Sequence, residues 1–407
     1  MCRSSRRSKL VMFSKCASRF AVTTQVLKGV FGSSRQRRRN RGTHKSGRIC
    51  QYRGRSRSAL GINNTVLSFN FSSDWIWDMT QRLTILFLLH PIKTDFFSPW
   101  GEDVVSALGN RHELHLIKHG QPLTQEQLAA DVVIEHGGHS DDYTRGLADQ
   151  LAGRIRLWQV LGTGIDQFDL NYWRAKNIPV ANTPGQFSAV ALAEHAMLLI
   201  LMLSRQFKRT QDNLRQGIFY EPITIELENL RLAMIGFGAS GRELARRARP
   251  FGMKLMAIDI RDISRGESEE FGLEFVGKPD DIDHVLTQAD VVSLHLHLNP
   301  ETHHILDARR IALMKPGAFL INVARGALVD EAALTDALVQ GRLGGAGLDV
   351  FSQEPPDLTA PIFNLPNVIT TPHCSGTTFG TSRRRGQCVA DNVERIAAGL
   401  EPLYRVD

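Results

Sequence analysis

From residue 82 onward the chain alternates short, unbroken apolar runs with amphipathic stretches, and it does so in two successive series. Unbroken apolar runs suit strands buried on both faces, and the stretches between them are long enough to be the helical crossovers that parallel strands require. The first series covers residues 83–89, 113–117, 131–134, 155–161 and 178–181. The second covers 230–235, 254–258, 291–298, 318–323, 345–350 and 368–371. Repeated βα units of this kind predict an α/β fold with two doubly wound parallel sheets. One long helix over about residues 187–216 is expected to bridge the two series, and a final helix over 387–400 to pack back on the first.

The region before this pattern is different in kind. Residues 1–73 hold 17 of the 49 Lys and Arg and no Asp or Glu, so the remainder carries 32 basic against 42 acidic residues. The net charge of +7 therefore belongs to the basic extension, residues 1–79, and the body is acidic. With few core-forming residues and no clear period, the extension is expected to lack a packed fold. Three origins fit it: a transit peptide, a nucleic-acid-binding arm, or translated sequence upstream of a start at Met79. Outside the extension, the longest apolar run, residues 196–203, is too short to cross a bilayer, so no membrane partner is expected. Three of the five cysteines lie in the extension, and Cys374 and Cys388 have neither metal-ligand nor disulfide-framework spacing. That usage predicts a reducing, cytoplasmic location, with organelle import as the alternative if the extension is a transit peptide.

The second series opens with Gly236-Phe-Gly-Ala-Ser-Gly241, directly after an apolar run and directly before Arg242-Glu-Leu-Ala-Arg-Arg-Ala248. A glycine loop between strand and helix points the first helical N–H groups at a pyrophosphate. Gly236 permits the tight turn, Gly238 lets backbone approach the phosphates, and Gly241 lets the helix sit close to the sheet. Asp259 ends the next run, where a carboxylate accepts from ribose hydroxyls and repels a 2′-phosphate. NAD is thus favoured over NADP, with Arg261 two residues on as a moderating cation.

Three further polar residues, Arg325, Glu354 and His373, each follow an apolar run of the second series. Strand ends of an open α/β sheet share one crevice, so the three are expected to meet beside the nucleotide. The guanidinium fork suits two-point binding of a carboxylate and the neighbouring carbonyl oxygen. Imidazole exchanges a proton with that oxygen near neutral pH, and a nearby carboxylate orients the ring and favours its charged form. His295, His297, His303 and His304 crowd one region, but no carboxylate or cysteine completes a ligand set, and no metal is expected.

Together with Gly236–Gly241, the segments Asn322-Val-Ala-Arg-Gly-Ala-Leu-Val329, Gly347-Leu-Asp-Val-Phe-Ser-Gln-Glu-Pro355 and Thr371-Pro-His-Cys-Ser-Gly376 resemble those of the D-isomer-specific 2-hydroxyacid dehydrogenases, including the phosphoglycerate dehydrogenase-like members. The likeness spans about residues 82–400 and takes in Gly162-Thr-Gly-Ile-Asp166 and Asn182-Thr-Pro184. It implies an NAD-binding Rossmann domain, 182–376, inserted in a discontinuous flavodoxin-like substrate domain formed by 80–181 and 377–407.

The resemblance also implies roles. Arg325 would bind substrate, Glu354 would support His373, and His373 would act as acid and base during hydride transfer between nicotinamide and C2 of a 2-hydroxyacid or 2-oxoacid. Ala239, Ser240, Val323 and Ala324 would contact the cofactor through backbone, and Asp349, Cys374, Ser375 and Gly376 would lie at its nicotinamide end. Gly162, Thr163 and Gly164 would offer N–H groups to a substrate carboxylate, and a homodimer is implied. The chain has Glu135-His-Gly-Gly-His-Ser140 where phosphoglycerate-specific members carry an Arg-Ser-x-Thr segment, so the phosphate-binding Arg is not evident there, although Arg145 is close enough in sequence to substitute. Glyoxylate- or hydroxypyruvate-type and 3-phosphoglycerate-type substrates both stay open. So does a corepressor-like reading, in which the same fold binds NAD(H) and a protein partner.

Overall fold

The computed structural model describes residues 81–90, 98–138 and 140–407; the basic extension and the segment 91–97 lie outside the described residues. Five parallel strands form the first sheet: β1 (Thr84–Leu88), β2 (Glu113–Ile117), β3 (Val132–Glu135), β4 (Leu157–Val160) and β5 (Val180–Ala181), in the order β2-β1-β3-β4-β5. Seven more form the second: β6 (Arg231–Ile235), β7 (Lys254–Ile258), β8 (Leu273–Gly277), β9 (Val291–Leu294), β10 (Phe319–Asn322), β11 (Gly345–Leu348) and β12 (Val368–Thr370). Their order, β12-β11-β10-β9-β6-β7-β8, reverses between β6 and β9. A ligand crevice opens outside the strand ends at such a reversal, which fixes where the glycine loop after β6 must lie.

The strands are built from Val, Ile, Leu and Ala because helices cover both faces. β3, β4, β9, β10 and β11 are buried along their whole length. Each sheet accordingly has two cores. In the second, helix α4 (Ala189–Ser204) fills one face through Ala193, Ala196, Leu199 and Ile200. In the first, the C-terminal helix returns to pack Val389, Ala390 and Val393 against Ile85, Phe87 and Trp100. The chain thus crosses between the sheets twice, before α4 and after β12, and all the described residues belong to one compact unit, Asn70–Asp407.

Three elements differ from the sequence expectation. The single helix over 187–216 is two, α4 and the segment Phe207–Arg215, bent by 53°. Ser204 hydroxyl turns back onto the Leu201 carbonyl (3.1 Å) and Gln206 adopts φ +45°, which ends α4 where its packing on the sheet ends. Strand β8 had no counterpart in the sequence reading because it is a sheet edge whose burial alternates with exposure, so it carries no unbroken apolar run. The C-terminal helix begins at Phe379, eight residues before the expected start, capped by the Thr378 side chain accepting from the Thr381 N–H (3.1 Å). Its arginine-rich first half masked the helical period.

Candidate active site

The glycine loop lies at the reversal point of the second sheet. Gly236 has φ +95°, and a Cβ there would run into the His295 carbonyl at the end of β9. A Cβ on Gly241 would strike the Gly236 carbonyl, whereas one on Gly238 would meet nothing within 4 Å. The loop is therefore closed toward the protein and open on the side where a phosphate would approach. Helix Ala239–Ala248 begins immediately, and among the described residues the N–H groups of Ala239, Ser240 and Gly241 donate to no acceptor. Ser240 is held by His295 Nδ1 (3.0 Å), whose Nε2 meets Ser293 Oγ (2.9 Å). Enclosure in protein draws the His295 pKa down to about 4, which keeps that ring neutral.

Asp259 follows β7, and its carboxylate accepts from the N–H groups of Phe237 (2.7 Å) and Arg261 (2.9 Å). The first of these bonds ties Asp259 to the glycine loop itself. The Arg261 side chain turns onto both oxygens of Glu267 (2.8 and 2.6 Å), which also pairs with Arg242 Nε (2.8 Å). Arg261 is thus already neutralised by a carboxylate at the point where a 2′-phosphate would need it.

Strand β10 hands on to Val323, Ala324 and Arg325 through Asn322, whose side chain accepts from the Ala324 N–H (3.1 Å) and donates to the Arg325 carbonyl (2.8 Å). The Arg325 guanidinium then reaches the other domain: Nε donates to Asp166 (2.9 Å), and Nη2 occupies the space a Cβ on Gly164 would fill. A larger residue at 164 would push the fork aside. Gly326, next in sequence, lies against the Phe351 carbonyl with no room for a Cβ, which brings the Arg325 and Glu354 segments side by side.

Glu354 and His373 form a direct pair, His373 Nδ1 to Oε2 at 2.6 Å, while Oε1 accepts from the Phe351 N–H (3.0 Å). Burial pushes the Glu354 carboxyl upward. The hydrogen bond and charge of His373, the Phe351 N–H and the charge of Arg325 outweigh it and hold the pKa below the ordinary glutamate value. With Nδ1 engaged, Nε2 is the ring nitrogen left for a substrate oxygen. His373 has φ +50°, held by its N–H donating to the Asp349 carbonyl (2.8 Å).

Asp349 directly follows β11 and is fully buried. Its carboxylate accepts from Thr371 Oγ1 (2.5 Å) and the N–H groups of Cys374 (2.9 Å) and Ser375 (2.8 Å). Its oxygens are spent on the turn that presents His373, Cys374, Ser375 and Gly376, so its part is to shape that turn. His195 of α4 joins through Thr371 Oγ1 (2.9 Å).

In the first sheet, the turn Gly162-Thr163-Gly164 follows β4. Asn182 Nδ2 donates to the Thr163 carbonyl (2.9 Å) and the Thr183 N–H to the Gly162 carbonyl (3.0 Å). Among the described residues the N–H groups of Thr163, Gly164 and Ile165 donate to no acceptor, which leaves successive donors beside the Arg325 fork. Gly138 backs onto the Gly164 carbonyl, so the 136–138 loop rests on this turn; His139 lies outside the described residues. Arg145 is paired with Asp169 (3.3 Å) and sits over Tyr172, which occupies it elsewhere.

Arg325, Asp166 and the 162–164 turn thus form one cluster, and Glu354, His373 and Asp349 another, while Asp259 belongs to the far end of the nucleotide loop. Sequence reasoning met Asp166, Asn322 and Thr371 inside the family-like segments without giving them a role, and it had no signal for His195 or Arg385.

Comparison with known proteins fits this geometry. The family described as D-isomer specific 2-hydroxyacid dehydrogenase, NAD binding domain, matches residues 197–375. The chain is 34% identical over 308 residues to D-3-phosphoglycerate dehydrogenase of Methanocaldococcus jannaschii, covering 74% of this chain and 56% of that protein. It spans only about half the length of the phosphoglycerate dehydrogenases it matches. It is also 34% identical over 299 residues to hydroxypyruvate reductase of Thermotoga maritima, covering 71% of this chain and 92% of that protein. D-lactate dehydrogenase from Aquifex aeolicus, solved with NAD and lactic acid, superposes with a TM-score of 0.64 and 29% identity over 77% of this chain and 96% of that one.

Proposed function

Because this chain belongs to the D-isomer-specific 2-hydroxyacid dehydrogenases, we propose that it transfers a hydride between NAD and C2 of a small 2-hydroxyacid or 2-oxoacid. The observation that carries this reading is the His373–Glu354 pair, 2.6 Å apart, beside an Arg325 fork seated on the Gly164 turn. Bound NADH supplies the hydride that converts the C2 carbonyl to an alcohol. Arg325 and the Thr163–Ile165 N–H groups hold the carboxylate and polarise the carbonyl. His373 Nε2 gives its proton to the C2 oxygen as negative charge develops there, and takes it back in the oxidative direction. Glu354 stays ionised, fixes the ring and stabilises its charged form. Asp259 and the neutralised Arg261 favour NAD over NADP.

Steady-state turnover with NADH on glyoxylate, hydroxypyruvate, pyruvate and phosphohydroxypyruvate tests the proposal. Reduction of at least one at a rate typical of enzymes, above about 1 per second, is expected. NADH binding with no turnover on any of them would instead favour the sensor-like reading of the fold.

The functional unit we propose is a homodimer. Leu214, Phe219, Tyr220 and Ile223, on and just after the helix Phe207–Arg215, are exposed apolar side chains close in sequence, with Tyr220 wholly exposed and Ile223 90% exposed, and we place the contact surface there. Burial against a second copy would cover it. Sedimentation should show a dimer for the native chain and a monomer for Phe219→Glu/Ile223→Glu; a monomeric native chain would remove the assignment. The location we propose is the cytoplasm. Cys374 and Cys388 are free thiols, as a reducing compartment allows. Recovery from cells of the natural protein inside an organelle, trimmed near residue 79, would favour import instead.

A further inference from the structure

The C-terminal helix places one arginine where the dehydrogenase chemistry makes no use of it. Arg385 lies between the two crossings of the chain, with Nη2 donating to Thr163 Oγ1 (2.8 Å) and Ser188 Oγ (3.3 Å) and its guanidinium 5.1 Å from the Trp100 ring centroid. It therefore bears on Thr163 while Arg325 bears on Gly164, so two guanidiniums flank consecutive residues of the substrate turn. Their neutralisation differs. Arg325 has Asp166 at 2.9 Å, whereas among the described residues Arg385 has no carboxylate within 4 Å and its Nε has no hydrogen-bond partner. Arg385 keeps some solvent contact while protein surrounds it on most sides. Burial first, then nearby Arg325 and Arg384, draws its pKa down to about 10, so it remains charged at neutral pH.

A desolvated cation without a counter-charge is costly, and the groups described above already suffice for one carboxylate and one carbonyl oxygen. Arg325 and the N–H groups of the turn take up the single carboxylate of a monoanionic 2-oxoacid, which leaves Arg385 itself without an acidic partner. We propose that Arg385 determines specificity by binding a second acidic group, a carboxylate or a phosphate, on the 2-oxoacid substrate. This rests on the dehydrogenase reading and narrows it to dianionic or more highly charged acids. The guanidinium fork suits either group, and neither Arg145 nor the 135–138 loop supplies a comparable free cation.

Matched substrates test it: 2-oxoglutarate against 2-oxovalerate for a carboxylate, and phosphohydroxypyruvate against hydroxypyruvate for a phosphate. With NADH, the native chain should give the higher kcat/KM on the more acidic member of at least one pair, and the favoured pair identifies the second group. In Arg385→Met the ratio within that pair should fall about 10- to 100-fold, the usual weight of a hydrogen bond to a charged group. Arg385→Lys, which keeps the charge without the fork, should lie between. NADH titration of each variant reports whether the cofactor site is intact, and a purely structural role for Arg385 would lower both rates together without moving the ratio. A native preference for the less acidic member of both pairs overturns the assignment, as does a ratio that changes less than threefold in both variants. Absence of turnover on all four acids despite NADH binding would fall on the dehydrogenase reading and take this assignment with it.

Discussion

Alanine at position 373 is expected to lower kcat/KM in both directions by about 10²- to 10⁴-fold, the usual weight of a positioned general acid, while NADH binds as in the native protein. No neighbour can replace the imidazole. Glu354 is held ionised by its hydrogen bonds and by Arg325, so it has no proton to give near neutrality, and Asp349 is sealed in the turn. The fold should tolerate the change, because the backbone N–H of residue 373 still donates to the Asp349 carbonyl and holds the turn. Steady-state rates alongside a fluorescence titration of NADH check this result. Turnover within tenfold of native would remove His373 from the mechanism.

Asp349→Ala is expected to damage stability and activity together. The carboxylate is fully buried and is the acceptor for the Thr371 hydroxyl and for the N–H groups of Cys374 and Ser375. Alanine leaves two backbone donors without partners and the Thr371 hydroxyl with His195 alone, at a cost of about 3 kcal/mol or more. For a domain of this size that corresponds to a fall in Tm of roughly 6–12 °C. The same loss releases the turn that fixes His373, so kcat/KM should fall more than tenfold even at temperatures where the protein is folded. Asp349→Asn keeps the shape and one acceptor oxygen and should recover part of both. A calorimetric Tm for the alanine variant within 2 °C of native would show that the turn is held by something else.

Much of the architecture is legible in the sequence. Eleven of the twelve strands coincide with apolar runs read from the sequence, because a parallel strand covered on both faces needs unbroken apolar residues. The exception, β8, sits at the edge of its sheet, where one face is half solvated and the signal becomes a weak alternation. The bend at Gln206 was hidden for a related reason: helical periodicity continues across it, and only the end of the packing surface on the sheet stops α4.

At the site, the sequence by itself determined which chemistry is available: a glycine loop with orphan helical donors, an arginine, a glutamate and a histidine, each following a strand. Strand ends are local features, and local hydrophobic pattern places them. Tertiary structure alone decided which of these groups touch. It paired Arg325 with Asp166, 159 residues away, turned Asp349 inward to hold a backbone turn, and brought Arg385 onto Thr163 across 222 residues. Such contacts depend on how two sheets and a returning helix pack as a whole, and no periodicity within a window of sequence encodes that distance.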